Sequence, residues 1–325
     1  MTDSRAHGNR SSGVSTPRVG AHPQANAKLE TAANASRLSG LGRLLLGLLY
    51  LLPKNGLSRF AGRVASLRLP GPIQRLEILL FARLAGVDLS EARDPIESHD
   101  CLQSFFARSL LDDARKIDGD DQSLVAPCDG AWGEAGRVEV GTLVQVKGRR
   151  YSLAELLGDS DRAGDYEGGF FATFYLSPRD YHRFHTPAAG CIRRIDYHPG
   201  SLWPVNAIGL KGIDRLFARN ERICAYLDTG EGDGIPLVLV PVGAMMVGSI
   251  RLNFDDLTTN DGGQRPECKE LGDRAPRLAR GEEWGHFEFG STIVLLTPPG
   301  LYHIEPRPVG EPVRLGQIIG RRPDA

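Results

Sequence analysis

Three short segments of this sequence set reactive side chains among small or turn-forming residues. The first is Ala126-Pro127-Cys128-Asp129-Gly130, a carboxylate in a turn bounded by proline and glycine. Taken alone, such an aspartate reads most simply as an Asx-turn or a cap. The second is SPRDYHRFHTPAAG, residues 177–190, with His182 and His185 three positions apart. That spacing puts both rings on one face only in a helix or tight turn; in a strand they point oppositely. The chemistry to expect is proton transfer, because imidazole titrates near neutrality. A metal is not expected, since no cluster of Cys, His or carboxylates supplies matching ligands. The third is Phe289-Gly290-Ser291-Thr292, running into the apolar stretch Ile293 to Leu296. Together the segments offer a carboxylate, an imidazole and a hydroxyl, the parts of an Asp-His-Ser arrangement. The GxSxG elbow of ordinary esterases is absent around Ser291, so another target must be considered. One is the carbonyl of the residue before the serine, because Gly290 has no Cβ to obstruct the approach.

These residues need a scaffold, and the sequence predicts one of α+β class, β-rich and mostly antiparallel. Phe170 to Leu176, Leu237 to Val242 and Thr292 to Leu296 are apolar and often β-branched, as buried strands are. Gly-Asp, Pro-Gly and Pro-Pro-Gly steps punctuate them. Ser152 to Leu157 predicts a short helix. There is no repeat of fixed period and no P-loop or GxGxxG fingerprint. Three regions are expected: a disordered tail over 1–36, a helical region over 37–111 and a catalytic domain over 112–325. The tail is rich in Ser, Gly, Asn, Ala and Arg and has little to bury.

Residues 37–84 differ in kind. Eight basic residues stand against one acid, Glu77, giving +7 within a chain of net charge −1. Leucine-rich blocks, Leu44 to Leu52 and Leu76 to Leu84, alternate with those charges and are broken by Pro53, Pro70 and Pro72. The blocks are too short to span a bilayer and suit helices lying in the interface of an anionic membrane. A helical hairpin packed on its own domain is the plainer alternative. With 325 residues and 41% hydrophobic composition, the chain has ample material for a core. Its near-neutral total argues against a nucleic-acid partner. Five scattered cysteines without a CxxC pair argue against a disulfide framework and suit a reducing compartment.

Several segments, in order, resemble the phosphatidylserine decarboxylases, pyruvoyl-dependent enzymes that make phosphatidylethanolamine. They are LLPKNGLSRFAGRVA (51–65), APCDG (126–130), QVKGRRYSLAELLG (145–158), YLSPRDYHRFHTPAAG (175–190), PGSLWPVN (199–206), FARNERI (217–223), VGAMMVGSI (242–250) and FGST (289–292). One departure is Phe289, where the bacterial motif commonly has leucine; Gly290, Ser291 and Thr292 are intact.

The resemblance implies a proenzyme that cleaves itself between Gly290 and Ser291. Asp129 would orient His185, His185 would take the Ser291 hydroxyl proton, and Ser291 would attack the Gly290 carbonyl. The products would be a large chain 1–290 and a small chain 291–325, held together without a covalent bond. The small chain would begin with a pyruvoyl group derived from Ser291, the covalent cofactor and Schiff-base centre. His182 is expected to act in decarboxylation, handling the substrate carboxylate or supplying a proton; a hydrogen-bonded, loop-shaping histidine is the alternative. Implied partners are phosphatidylserine in an anionic membrane and the chain's own cleaved fragment, with a homo-oligomer of the two-chain unit also admitted. With no signal peptide read in the sequence, the expected location is peripheral, on the cytoplasmic face of the cell membrane. Arg183, Arg219 and Arg222 are candidates for the lipid phosphate by charge and neighbourhood only. Two rival functions remain: an uncleaved lipid-binding module built on Cys191 to Leu252, and a pyruvoyl enzyme for a soluble amino acid.

Overall fold

A computed structural model of the chain describes residues 39–146, 149–246, 249–260, 265–288 and 290–323. The tail expected over 1–36 and the departing residue Phe289 lie outside the described residues. The centre of the structure is an antiparallel nine-stranded sheet. Across it the strands run Glu267–Glu270, Gly190–His198, Arg222–Asp228, Leu237–Val242, Ser291–Thr297, Phe170–Leu176, Gly130–Arg137 and Pro312–Val313, with Arg277–Leu278 also on Gly190–His198. The predicted strands Phe170–Leu176 and Leu237–Val242 have those bounds, and the third extends one residue at each end to Ser291–Thr297.

Alternation explains why the sheet is central rather than superficial. Ile293 and Leu295 face one core with Phe174, Leu239 and Trp132, while Val294 and Leu296 face the other with Phe171, Val238 and Val240. All seven residues of Ser291–Thr297 are buried. Strands covered on both faces read as unbroken apolar runs, which is why these were legible. Smaller sheets accompany the large one, among them a three-stranded sheet of Ile250–Leu252, Glu283–Phe287 and Arg183–His185. The short helix Leu153–Leu157 starts from the Ser152 side chain, which accepts the Glu155 N–H.

Among the described residues, four α-helices precede the sheet: α1 (Gly40–Leu51), α2 (Lys54–Ala65), α3 (Gly71–Ala85) and α4 (Leu102–Phe106). Pro53 and Pro70 mark the starts of α2 and α3 and Pro72 sits in the first turn of α3, because proline's missing N–H costs nothing there. The helices belong to the same compact unit as the sheet, Leu38–Ala325. Leu46 and Leu49 of α1 pack on the core, and Tyr50 tilts over Trp203 at 4.6 Å. Asn55 of α2 donates to Gly200 O (2.8 Å) and accepts from Leu202 N (3.1 Å). Ile78 and Ala82 of α3 are buried with Phe105 of α4.

The opposite faces of these helices are bare. Leu41, Leu44, Leu48 and Leu51 recur at helical spacing along α1 and are all at least half exposed; Ile73, Leu76, Leu80 and Leu84 do the same on α3. Among the described residues, no helix is long and apolar enough to cross a membrane.

Candidate functional site

Ser291 opens a fully buried strand at the middle of the large sheet, paired with Leu176 on one side. Its Oγ is buried without a hydrogen-bond partner among the described residues, and so are Thr292 Oγ1 and His182 Nε2. Buried polar atoms are rarely left unpaired; strand alternation turns Thr292 to the opposite face, so Ser291 Oγ and His182 Nε2 together mark a place where something else is meant to bind or react. A cavity of about 450 Å³ adjoins Ser291, with Gly290, Tyr175, Leu176, Ala244 and Met245 also on its wall.

The two histidines point different ways because Arg183–His185 is a strand and His182 lies just before it. The His182 ring is wholly buried and its Nδ1 lies 2.8 Å from the Asp180 carbonyl oxygen. A carbonyl cannot donate, so Nδ1 carries the proton and Nε2 is left as a bare lone pair. That nitrogen lies beside Gly290: a Cβ placed on Gly290 would lie 4.0 Å from it. Burial pushes the His182 imidazole down to about 3, with the Arg108 charge adding to the effect against the Asp180 bond. It is therefore a neutral base at ordinary pH.

His185 is held differently. Its Nδ1 donates to Gly281 O (2.9 Å) and its Nε2 accepts from the Tyr181 hydroxyl (3.2 Å). Burial lowers its pKa, opposed by the Gly281 bond and by the carboxylates of Glu283 and Asp129. Asp129 faces another partner. Arg115 Nε donates to both its oxygens (2.9 and 3.0 Å), and the Leu315 N–H donates to Oδ1 (2.9 Å). Arg115 Nη2 also reaches Glu91 at 2.7 Å.

The structure thus sets His182 beside the Gly290–Ser291 bond, and puts Asp129 within electrostatic but not hydrogen-bonding reach of His185. Sequence reasoning missed Tyr181, Arg115 and Arg108. Tyr181 lies inside the 177–190 segment and could have been noticed there. Nothing in the spacing of Arg115 and Asp129 reveals that they meet. Of the proposed phosphate-binding arginines, Arg183 pairs with Glu283 at 2.8 Å, and Arg222 is buried on the carbonyls of Leu156, Ala218 and Glu155. Arg219 is exposed beside Trp203. Among the described residues, no group of three His, Cys, Asp or Glu could hold a metal ion.

Residues 102–321, which span the large sheet and these side chains other than Glu91, match the family model for phosphatidylserine decarboxylase. The chain belongs to that family. It is 38% identical over 275 residues to the phosphatidylserine decarboxylase proenzyme of Marinobacter nauticus, covering 84% of this chain and 95% of the relative. Proenzymes of the same name from Anaeromyxobacter sp. and Brevibacillus brevis are 41% and 42% identical, over 86% and 78% of this chain and 98% and 89% of theirs. The alignments cover nearly the whole of each relative.

Proposed function

We propose that this chain is a self-processing decarboxylase that converts phosphatidylserine to phosphatidylethanolamine and CO2 at a membrane surface. The observation that carries the reading is the pair of buried atoms left unpartnered among the described residues, Ser291 Oγ and His182 Nε2, at the Gly290–Ser291 bond beside a cavity.

Cleavage would begin when Ser291 Oγ attacks the Gly290 carbonyl carbon and the peptide C–N bond gives way to an ester. Loss of the Ser291 Cα proton then breaks the Cβ–Oγ bond, freeing Gly290 as a carboxylate and leaving dehydroalanine at the new N-terminus. Tautomerisation and hydrolysis release ammonia and leave a pyruvoyl group at position 291. The unpaired polar atoms and adjoining cavity fit such a group. Once formed, it supplies an electron sink for the substrate amine. The fragment starting at Ser291 would stay in place because its first strand is buried between Leu237–Val242 and Phe170–Leu176.

His182 is the residue best placed to hold or move a proton at position 291, in keeping with a role in decarboxylation. For the cleavage step the family resemblance assigns the base to His185 with Asp129 behind it, and the field of Asp129 at His185 favours that assignment. The bare Nε2 of His182 favours the alternative in which His182 also serves cleavage. His185→Ala and His182→Ala, each followed by intact mass, separate the two. Membrane attachment is supported by the leucine faces of α1 and α3 within the +7 segment.

Intact-mass measurement of purified protein under denaturing conditions tests the whole reading. Two chains dividing at Gly290/Ser291, the smaller with a pyruvoyl terminus, are expected. A chain still whole after exposure to phosphatidylserine vesicles would overturn it.

A further inference from the structure

Arg108 is a buried cation with no ion-paired carboxylate among the described residues; Asp129, Asp180 and Glu91 act on it only through their field. The residue is only 4% exposed. Its Nη2 donates to Arg179 O at 3.1 Å and, at the long limit of 3.5 Å, to Asp180 O. Its Nε and Nη1 are buried with no partner, and its guanidinium lies 5.5 Å from the Phe105 ring. Burying an unpaired charge is expensive, so a fold that does so needs a reason.

That reason lies one residue away. The Asp180 carbonyl that Arg108 touches is the same oxygen that receives the His182 Nδ1 proton. The grip is reciprocal: Arg183, next to His182, donates through Nε to Ala107 O at 2.8 Å, next to Arg108. The Phe106 ring lies 4.0 Å from the His182 ring, closing the third side. The last residue of α4 and the two that follow it therefore hold the imidazole by its plane, by its acceptor and by the adjoining backbone. We propose that Arg108 is a positioning residue, which fixes the Nδ1–H tautomer of His182 and keeps Nε2 unprotonated toward Gly290 and Ser291.

The other groups packed round His182 do not supply this. From the 177–181 turn, the Asp180 carboxylate is bound by Ser177 N and Oγ, both at 2.7 Å, and Tyr181 is turned to His185. From the strand Glu283–Phe287 comes a backbone bond, Phe287 N–H to His182 O, and from position 290 onward come only a glycine and hydroxyls. Arg108 is the charge acting on the ring, and it opposes a second proton there. The inference rests on the reading that His182 serves position 291.

The test uses the full chain carrying Ser291→Ala, so that no cleavage or cofactor intervenes, with nitrogen-15 histidine NMR to follow tautomer and protonation. The His182 signals are identified by their loss in His182→Gln. With Arg108 present, His182 should show the Nδ1–H tautomer and stay neutral through the accessible acid range. In Arg108→Gln, with the Asp180 carbonyl no longer held by the guanidinium, the Nδ1–H tautomer should lose population and the midpoint should rise, the direction expected on removing a nearby like charge. Arg108→Lys should restore the midpoint in part through its charge. In the processing-competent chain, Arg108→Gln should lower kcat for phosphatidylserine with little change in KM and move the acid limb of the pH profile upward. An unchanged tautomer and midpoint in folded Arg108→Gln would overturn the proposal. Full activity in His182→Ala would instead overturn the role of His182, whatever the NMR of Arg108 variants shows.

Discussion

Replacing Leu44, Leu48 and Leu51 together by serine is expected to release the protein from anionic vesicles without unfolding it. The three side chains are 63%, 51% and 83% exposed on one stripe of α1, while the opposite stripe, with Leu46 and Leu49, packs on the core. Their bare surface amounts to about two whole leucines, and at roughly 2 kcal/mol each its insertion into an interface contributes about 4 kcal/mol. That corresponds to about three decades in partition coefficient. Stability should hardly move, since exposed substitutions away from special features change it by about 0.5 kcal/mol or less. The assay is co-sedimentation with phosphatidylserine/phosphatidylcholine vesicles at fixed ionic strength, alongside urea denaturation. Residual binding of the triple variant should come from the bare face of α3 and from the basic segment, the latter part falling with added salt. Unchanged partition in a folded variant would refute the membrane reading of α1. A large loss of stability would show that the stripe is packed, against its exposure.

Other consequences are equally direct. Ser291→Ala should yield one uncut chain of unchanged stability, because the missing hydroxyl has no partner to lose. Gly290→Ala should fold, since the added Cβ meets Leu176 O at 3.5 Å and His182 Nε2 at 4.0 Å, both ordinary contacts, and should still cleave at a reduced rate; failure to fold would contradict that spacing. Asp129→Asn leaves Arg115, whose side chain is 8% exposed, with only Glu91 as a charged partner, and should cost about 3 kcal/mol in urea denaturation. The His182 pKa of about 3 in the fold against 6.5 ordinarily means that the unfolded chain takes up the proton first as pH falls. Stability from this group is therefore complete above 6.5 and declines by roughly 1.4 kcal/mol per pH unit below it, until about pH 3. The difference in urea midpoint between the parent and His182→Gln, followed from pH 7 to 4, should carry that slope; a flat difference would place His182 in a solvated site.

Much of the fold was legible because burial on both faces writes itself into sequence as continuous apolar runs, as at Phe170–Leu176 and Leu237–Val242. The helices before residue 85 were legible only in part. α2 is less apolar than its neighbours, and its residues Lys54, Asn55 and Ser58 serve the loops of the sheet, so no leucine block announces it. Tyr181 and Arg115 were invisible as partners of His185 and Asp129 because a hydrogen bond between side chains leaves no periodicity.

The sequence by itself determined the β-rich class, the family, the reactive trio of segments and the charged leucine-rich front, since each depends on residue type at short range. The tertiary structure alone decided which nitrogen meets the Gly290–Ser291 bond. His182 and His185 are chemically equal in sequence; a strand's alternation turns them apart, and contacts from α4, 70 and more residues upstream, give one of them a fixed tautomer and a bare lone pair. Such selection needs atoms distant along the chain to come within hydrogen-bond range, and only the folded chain supplies that proximity.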